Sequence, residues 1–297
     1  MAEIAVVGSL NTDLVATVEA LPLPGETVMA SSLLSNPGGK GANQAVAAAR
    51  LGRSVAMVGA VGDDEAGKAL VGSLRSDGVA THHIRFDKTT TTGAALIAVD
   101  ALGENMIVVS PGANATLTPA DIEASRSALE KAVVVLVQQE IPPEAVRRCG
   151  ELSAGTLILN PAPARDPDPE LLALTDVLVP NQSELARLTG GPVPNSLDEV
   201  VALATSFEWP RTLVVTMGGD GAVLVGADYH YHVPAPEVDV VDATAAGDAF
   251  CGALADAISQ GRDMEEAVEW AVKTGAAAVT KLGAQVSLPT RAEVEAL

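Results

Sequence analysis

Val133-Val134-Val135-Leu136-Val137 is an uninterrupted apolar run, and beyond Gln138-Gln139-Glu140 the chain turns into a helix-like stretch from Pro143 to Leu152. A strand with no polar alternation has to be covered on both faces, as the strands of a parallel sheet are. Ile4 to Val7, Val55 to Val58, Thr156 to Leu159, Val177 to Val179 and Leu213 to Thr216 read as strands of the same kind. Gly41 to Leu51, Glu65 to Ser76, Pro119 to Lys131, Gln182 to Thr189 and Leu197 to Ser206 read as the helices between them, and Ala249 to Ser259 and Met264 to Lys281 add two more. The alternation predicts an α/β fold: a doubly wound, mainly parallel sheet flanked by helices, with its ligand beyond the carboxyl ends of the strands. Leu14 to Val18 with Thr27 to Ser32, and Gly93 to Asp100 with Asn105 to Val109, break the pattern, because no helix separates these strands. They are expected to form a small β-sheet lid, inserted at about 14–34 and 92–110 in a single domain spanning 1–297; a hairpin extending the main sheet is the alternative.

The 297 residues carry 18 Lys and Arg against 38 Asp and Glu, a formal charge of −20. A surface of that sign repels polyanions, so neither nucleic acid nor an anionic membrane is expected as a partner. Cys149 and Cys251 are far apart in helix-like stretches and form no disulfide or zinc pattern. The amino end runs into Ile4 without a basic leader, and runs such as Ala132 to Val137 fall far short of a membrane span. A cytoplasmic protein is the expectation.

Asp242-Ala243-Thr244-Ala245-Ala246-Gly247-Asp248 follows the strand-like Val238 to Val241 and opens an apolar helix. Small residues there let backbone N–H groups at the helix start approach an anion, with the helix dipole adding positive potential. Asp248 beside such a hole suits a base that accepts the proton of an alcohol attacking a phosphoryl group, although an N-cap aspartate is the plainer reading of the motif alone. Asn36-Pro37-Gly38-Gly39-Lys40-Gly41-Ala42-Asn43-Gln44 is a second glycine turn feeding a helix, with Lys40 and Asn43 offering a charge and an amide. Asn11 and Asp13 follow the first strand, where a carboxylate can accept bonds from vicinal hydroxyls; an Asx-turn explains them as well. Glu184 in Asn181-Gln182-Ser183-Glu184 can hold metal-bound water or close a capping box. Thr216-Met217-Gly218-Gly219-Asp220-Gly221 can cradle phosphates or simply turn a hairpin. Gly62 to Ala69 has P-loop spacing, but Ala69 stands where a hydroxyl is required and three carboxylates crowd the loop. His82-His83 and His230-x-His232 lack further ligands at metal spacing.

Together, Gly38 to Asn43, Asn160-Pro161-Ala162-Pro163-Ala164-Arg165, Asn181 to Glu184 and Asp242 to Asp248 resemble, in order and over the whole chain, the PfkB family of ribokinase-like carbohydrate kinases. The resemblance implies transfer of the γ-phosphoryl of ATP to a sugar hydroxyl, for ribose the 5-hydroxyl, and a homodimer formed by clasped lids. Carried over by position, Asn11, Asp13, Gly39, Lys40, Asn43 and Glu140 resemble the sugar-binding set. Asp248 resembles the catalytic base, and Ala245, Ala246 and Gly247 the anion hole. Asn181, Glu184 and Thr216, Met217, Gly218, Gly219, Asp220 and Gly221 resemble the ATP and Mg²⁺ site, with Gly247 against the nucleotide and Glu184 holding Mg²⁺ through water. A K⁺ site is implied at Asp242, Thr244, Ala278, Lys281, Gly283 and Ser287, mostly through carbonyl oxygens. Ala243 and Ala245 depart from the family's Asp-Thr-x-Gly-Ala-Gly-Asp, without loss of a backbone donor. Fructose, ketodeoxygluconate and adenosine are the alternative acceptors, although an aromatic content of 2% disfavours a nucleoside pocket. A catalytically silent sugar sensor would not need Asp248, and a dinucleotide oxidoreductase would need a G-x-G-x-x-G that Gly8-Ser9-Leu10-Asn11 does not supply.

Overall fold

The computed structural model describes residues 2–207, 211–226 and 229–297. From the amino end come β1 (Ile4–Val7), β2 (Asn11–Thr17), β3 (Ser32–Gly38), α1 (Lys40–Arg50), β4 (Val55–Gly62), α2 (Glu65–Ser76), β5 (Ala80–Asp87), β6 (Gly93–Val99) and β7 (Asn105–Ser110). There follow α3 (Pro119–Ala124), α4 (Arg126–Leu129), β8 (Val134–Gln138), α5 (Pro143–Leu152), β9 (Thr156–Asn160), α6 (Pro169–Leu174), β10 (Val177–Leu178) and α7 (Gln182–Thr189). The chain closes with α8 (Leu197–Thr205), β11 (Thr212–Thr216), β12 (Ala222–Val225), β13 (His230–Val233), α9 (Ala246–Ser259), α10 (Met264–Ala278) and α11 (Arg291–Ala296).

Nine strands form the main sheet in the order β13-β12-β11-β10-β9-β8-β1-β4-β5. Pairing is parallel from β5 to β11 and antiparallel at β12 and β13. Every residue of β1 is buried, and the period of two sends Ile4 and Val6 to one core and Ala5 and Val7 to the other. α1, α9 and α10 cover the first face, and α5, α7 and α8 supply residues to the second. The chain runs outward from β1 through β4 to β5, then returns to β8 on the other side of β1 and proceeds to β13. The order therefore reverses between β1 and β8, and a crevice opens there beyond the strands' carboxyl ends.

The remaining strands form a separate sheet in the order β3-β2-β6-β7. Its two outer pairings are antiparallel and β2 runs parallel to β6, so the hairpin alternative, an extension of the main sheet, does not hold. The strand expected at Thr27 to Ser32 lies instead at Ser32–Gly38, in register with β2 from Thr17↔Ser32 to Asn11↔Gly38. Pro22, Pro24 and Gly25 keep the preceding segment out of the ladder as a turn, with Glu26 N–H bonded to Leu23 O at 2.9 Å. Val238 to Val241 is not a strand either: Val241 and Asp242 both donate their N–H to Val279 O, at 2.8 and 3.2 Å, which ties the segment to the end of α10. The helix expected over Pro119 to Lys131 is broken at Ser125, whose backbone leaves the helical region (φ −100°, ψ 7°). β5 was not legible because Thr81, His82 and His83 give an edge strand a polar pattern. Among the described residues no helix is long and apolar enough to cross a membrane.

α1 and α9 cross in direct backbone contact. A Cβ at Gly252 would lie 2.6 Å from Ala47 Cβ and 2.9 Å from Gln44 O, so glycine is required for the approach. Asp248 sits one turn earlier on α9, and this contact is what delivers it to the first turn of α1.

Candidate active site

The crevice at the β1/β8 reversal is built from the loops after those strands and the start of α1. Gly39 adopts φ +90°, and a Cβ there would lie 2.7 Å from Asn11 N, so α1 begins pressed onto the chain leaving β1. The Ser9 hydroxyl donates to Glu140 Oε2, which also accepts the Lys40 backbone N–H at 3.2 Å. β2 carries Asn11 and Asp13 on one face of the small sheet, two residues apart. Asn114 Nδ2 donates to Asn11 Oδ1 at 2.8 Å, and Asn114 Oδ1 accepts from Leu10 N at 2.9 Å, which fixes the Asn11 amide.

This end of the crevice is densely anionic around Lys40. Burial, then the charges of Glu140 and Asp248, push the Asp13 carboxyl up to about 6. The Asp248 charge, helped by Glu140 and Glu184, raises Lys40 against the opposing effect of burial. Burial likewise raises Glu184. A ligand with hydroxyl donors suits such a group of acceptors, because it can satisfy them without adding charge.

Asp248 is 7% exposed, in the first turn of α9. Asn43 Nδ2 donates to its Oδ2 at 2.9 Å and Gln44 Nε2 to its Oδ1 at 3.0 Å. Ala245, the residue before α9, is held at φ 62°, the one non-glycine residue at positive φ among those described. Holding an alanine there costs on the order of 1 kcal/mol, and the strain lies in the turn that aims the helix start at the crevice. The Ala246 N–H bends back to Ala243 O at 3.3 Å, whereas no backbone acceptor takes the N–H of Ala245 or Gly247 among the described residues. With open space beside Gly247, those two donors and the dipole of a 14-residue helix can receive an anion.

Two cavities meet at Thr216, Ala243 and Gly247. The smaller, about 260 Å³, is lined by Lys40, Asn160, Asn181, Glu184, Ala245 and Asp248 among others. The larger, about 420 Å³, runs past Gly218 and Gly219 to an apolar end at Val240, Phe250, Val272 and Val279. An apolar slot joined to an anion hole fits a flat base and its phosphates. The Thr216 to Gly221 turn stands between β11 and β12, where Gly218 and Gly219 face open space and Met217 N–H bonds to Gly221 O at 2.8 Å. Asp220 is exposed there, and its carbonyl meets His232 Nε2 at 2.7 Å.

Asn181 and Glu184 form a reciprocal capping box on α7, and Glu184 keeps its second carboxylate oxygen beside the cavity. Asp242 accepts from Thr244 N at 2.9 Å and Gly283 N at 2.8 Å. Burial raises its carboxyl, but these bonds prevail and hold it below the ordinary range. The Gly283 bond draws the loop after Ala278 against Asp242, and Ser287 Oγ closes that loop on Ala284 O at 2.8 Å. Lys281 turns its ammonium away to Glu293, so only its carbonyl is available to a cation. The groups left to a cation there, the Asp242 carboxylate and the Lys281 carbonyl, are oxygens, the donor type that a hard cation takes.

The P-loop-like segment does different work. Asp64 caps α2 through Gly67 N at 2.8 Å and receives Thr92 N at 2.8 Å, pinning the start of β6. The histidine pairs lie on the two edge strands of the main sheet, β5 and β13. Sequence reasoning missed Ser9, Asn114 and Gln138, and it assigned no role to Gln44 or Asn160 although both stand in quoted motifs. Gln138 and Gln139 at the end of a buried strand were the available signal, since buried amides need partners.

A pfkB family carbohydrate kinase profile matches residues 1–291. A Bacillus subtilis ribokinase is 41% identical over 301 residues, covering 100% of this chain and 99% of that one. A deoxyribokinase of Salmonella typhi is 39% identical, covering 97% and 96%. The structure of Arabidopsis thaliana ribokinase complexed with ribose and ATP superposes with a TM-score of 0.90 at 31% identity, covering 99% and 98%. The chain belongs to the PfkB family of carbohydrate kinases.

The raised Asp13 gives a pH signature. Its folded value near 6 lies above the ordinary 3.8, so the folded state binds the extra proton in between, and stability falls as pH rises from about 4 to 6 and stays lowered above. Asp13→Asn should therefore raise Tm by a few degrees at pH 7.5 and leave it nearly unchanged at pH 4; the same shift at both pH values would contradict the assignment.

Proposed function

We propose that the chain transfers the γ-phosphoryl group of ATP to the 5-hydroxyl of D-ribose, giving ribose 5-phosphate and ADP. The observation that carries this reading is the Asp248 carboxylate, held on both oxygens by the amides of Asn43 and Gln44 beside the free N–H groups of Ala245 and Gly247. In the transfer, Asp248 accepts the hydroxyl proton while the sugar oxygen bonds to phosphorus and the bond from phosphorus to the β–γ bridging oxygen breaks, releasing ADP. Ala245, Ala246 and Gly247 receive charge on the moving phosphoryl oxygens, Ala246 once its weak turn bond opens. Asn11, Asp13, Gly39, Lys40, Asn43 and Glu140 hold the sugar. The Thr216 to Gly221 turn and Asn181 hold the nucleotide, with its base in the apolar cavity.

The free oxygen of Glu184 fits an ion that keeps its own water, so Glu184 would hold Mg²⁺ beside the phosphates through a water molecule. Asp242 with the carbonyls of Thr244, Ala278, Lys281, Gly283 and Ser287 would hold K⁺. Bound there, these ions offset phosphate charge at the anion hole. Two relatives bear on the acceptor: the Bacillus subtilis ribokinase favours ribose, and the deoxyribokinase makes deoxyribose the second reading. Buried, unpaired Cys149 and Cys251 suit a reducing cytoplasm.

The four-stranded sheet is the lid of this single domain in our reading, and it is the face of a homodimer. Its register sets Leu33, Leu96, Met106 and Val108 on the face opposite Asn11 and Asp13, and Leu33, Leu96 and Val108 are 68%, 52% and 59% exposed. An apolar face of that kind wants a cover, and a second lid supplies a self-complementary one.

Asp248→Asn should lower kcat by about 10³-fold or more while leaving the Kd for ribose within threefold; a fall in kcat of less than about tenfold would remove Asp248 as the base. In sedimentation equilibrium the chain should behave as a dimer that Leu96→Asp with Val108→Asp converts to monomer. A monomeric wild type would refute the lid interface.

A further inference from the structure

The Gln44 side chain is wholly buried, lines neither cavity, and has every polar atom committed. Its Nε2 donates to Asp248 Oδ1 at 3.0 Å and to Asn160 Oδ1 at 3.2 Å, and its Oε1 accepts from Gln138 Nε2 at 2.5 Å. Asn160 is itself oriented by Nδ2, which donates to Val179 O at 2.9 Å. Only one sense of the Gln44 amide satisfies this arrangement. A flip would set its oxygen against two acceptors and its NH₂ against the NH₂ of Gln138.

This polar cluster is costly for a core. Gln138 is also fully buried, and its Oε1 has no partner, a deficit that an apolar pair filling the same space would avoid. The chain leaves room for it all the same: a Cβ at Gly8 would come within 1.9 Å of Gln138 Oε1. Asn43, the other donor to Asp248, stands in the proposed sugar set and can exchange partners when a hydroxyl arrives, whereas Gln44 touches no ligand space and can hold its bond throughout.

We propose that Gln44 is a positioning residue for phosphoryl transfer. Fixed by Gln138 from β8 and Asn160 from β9, it locks the Asp248 carboxylate in the orientation from which it takes the acceptor proton. The proposal rests on Asp248 being the base. It gives Asn160, the head of the Asn160 to Arg165 motif, a role in that geometry, and it connects β8 and β9 to the reacting carboxylate.

Gln44→Met keeps the volume and removes the donor. It should lower kcat about 10- to 100-fold, with the Kd values for ribose and MgATP, measured by calorimetry, within twofold of wild type. Gln138→Met, which removes a side-chain amide whose hydrogen-bond partner is Gln44, should give a smaller loss of the same kind, about 3- to 10-fold, and the double variant should be no slower than Gln44→Met alone. In an Asp248→Asn background, Gln44→Met should change the residual rate less than twofold. If both single variants keep kcat within twofold while Asp248→Asn is slow, the positioning role is wrong and the base stands. An active Asp248→Asn overturns the base and the positioning role together. Ribose affinity falling in step with kcat would mark a merely structural role and overturn the proposal. Should Gln44→Met not be folded at the assay temperature by circular dichroism, Gln138→Met is judged by the same criteria.

Discussion

The site depends on how closely α9 approaches α1. Gly252 on α9 rests on Ala47 and the Gln44 carbonyl, and no side chain larger than hydrogen fits between them. Because Asp248 stands four residues earlier on the same helix, the contact fixes the reach between its carboxylate and the amides of Asn43 and Gln44. α1 is in turn fixed by Gly39 and Gly41 against the chain leaving β1; a Cβ at Gly41 would lie 2.7 Å from Gly8 C and Ser9 N. Two close backbone approaches thus set the coordinates of a carboxylate that lies more than two hundred residues from its partners in sequence. Interiors packed to this density transmit small displacements instead of absorbing them, and a shift of a few tenths of an ångström at Gly252 would be felt at Asp248.

Electrostatics impose a second constraint. In the proposed reaction a chain of charge −20 accepts a polyphosphate next to Asp13, Glu140, Glu184 and Asp248. Net charge does not draw the nucleotide in, so the attraction has to be local. In the proposed mechanism it comes from the start of α9, from Lys40 among its carboxylates and from two cations. Burial, and then the same crowding, explain why Asp13 holds its proton to about 6, and the crowding is why a neutral polyol suits that end of the crevice.

Much of this was readable in the sequence where chemistry and local geometry coincide. Buried strands such as β1 and β8 announce themselves by unbroken apolar runs, and glycine turns feeding helices mark the crevice because only small residues allow backbone to reach a ligand. The capping box at Asn181 and Glu184 was legible as spacing, since it closes within one turn. What escaped depends on distant partners. β5 presents histidines at the sheet edge, Val238 to Val241 is claimed by Val279 at the end of α10, and β3 is placed by register with β2 and not by its own pattern. Gln44 carries no local signature and Gln138 only its place at the end of a buried strand, because the orientation of an amide is decided by whichever donors and acceptors the fold brings to it. Ala245 is the instructive exception: its departure from glycine was visible, but the left-handed backbone that makes the departure costly was not.

The central claim, that the crevice between β1 and β8 presents a pentose hydroxyl to Asp248 and the γ-phosphoryl of ATP, is tested most directly by the rate of ADP release with MgATP. D-ribose, 2-deoxyribose, fructose, ketodeoxygluconate and adenosine would each be supplied with and without K⁺. The account predicts turnover that is fastest with ribose, rises on addition of K⁺, and yields ribose 5-phosphate in step with ADP. No turnover of ribose under either condition would contradict it.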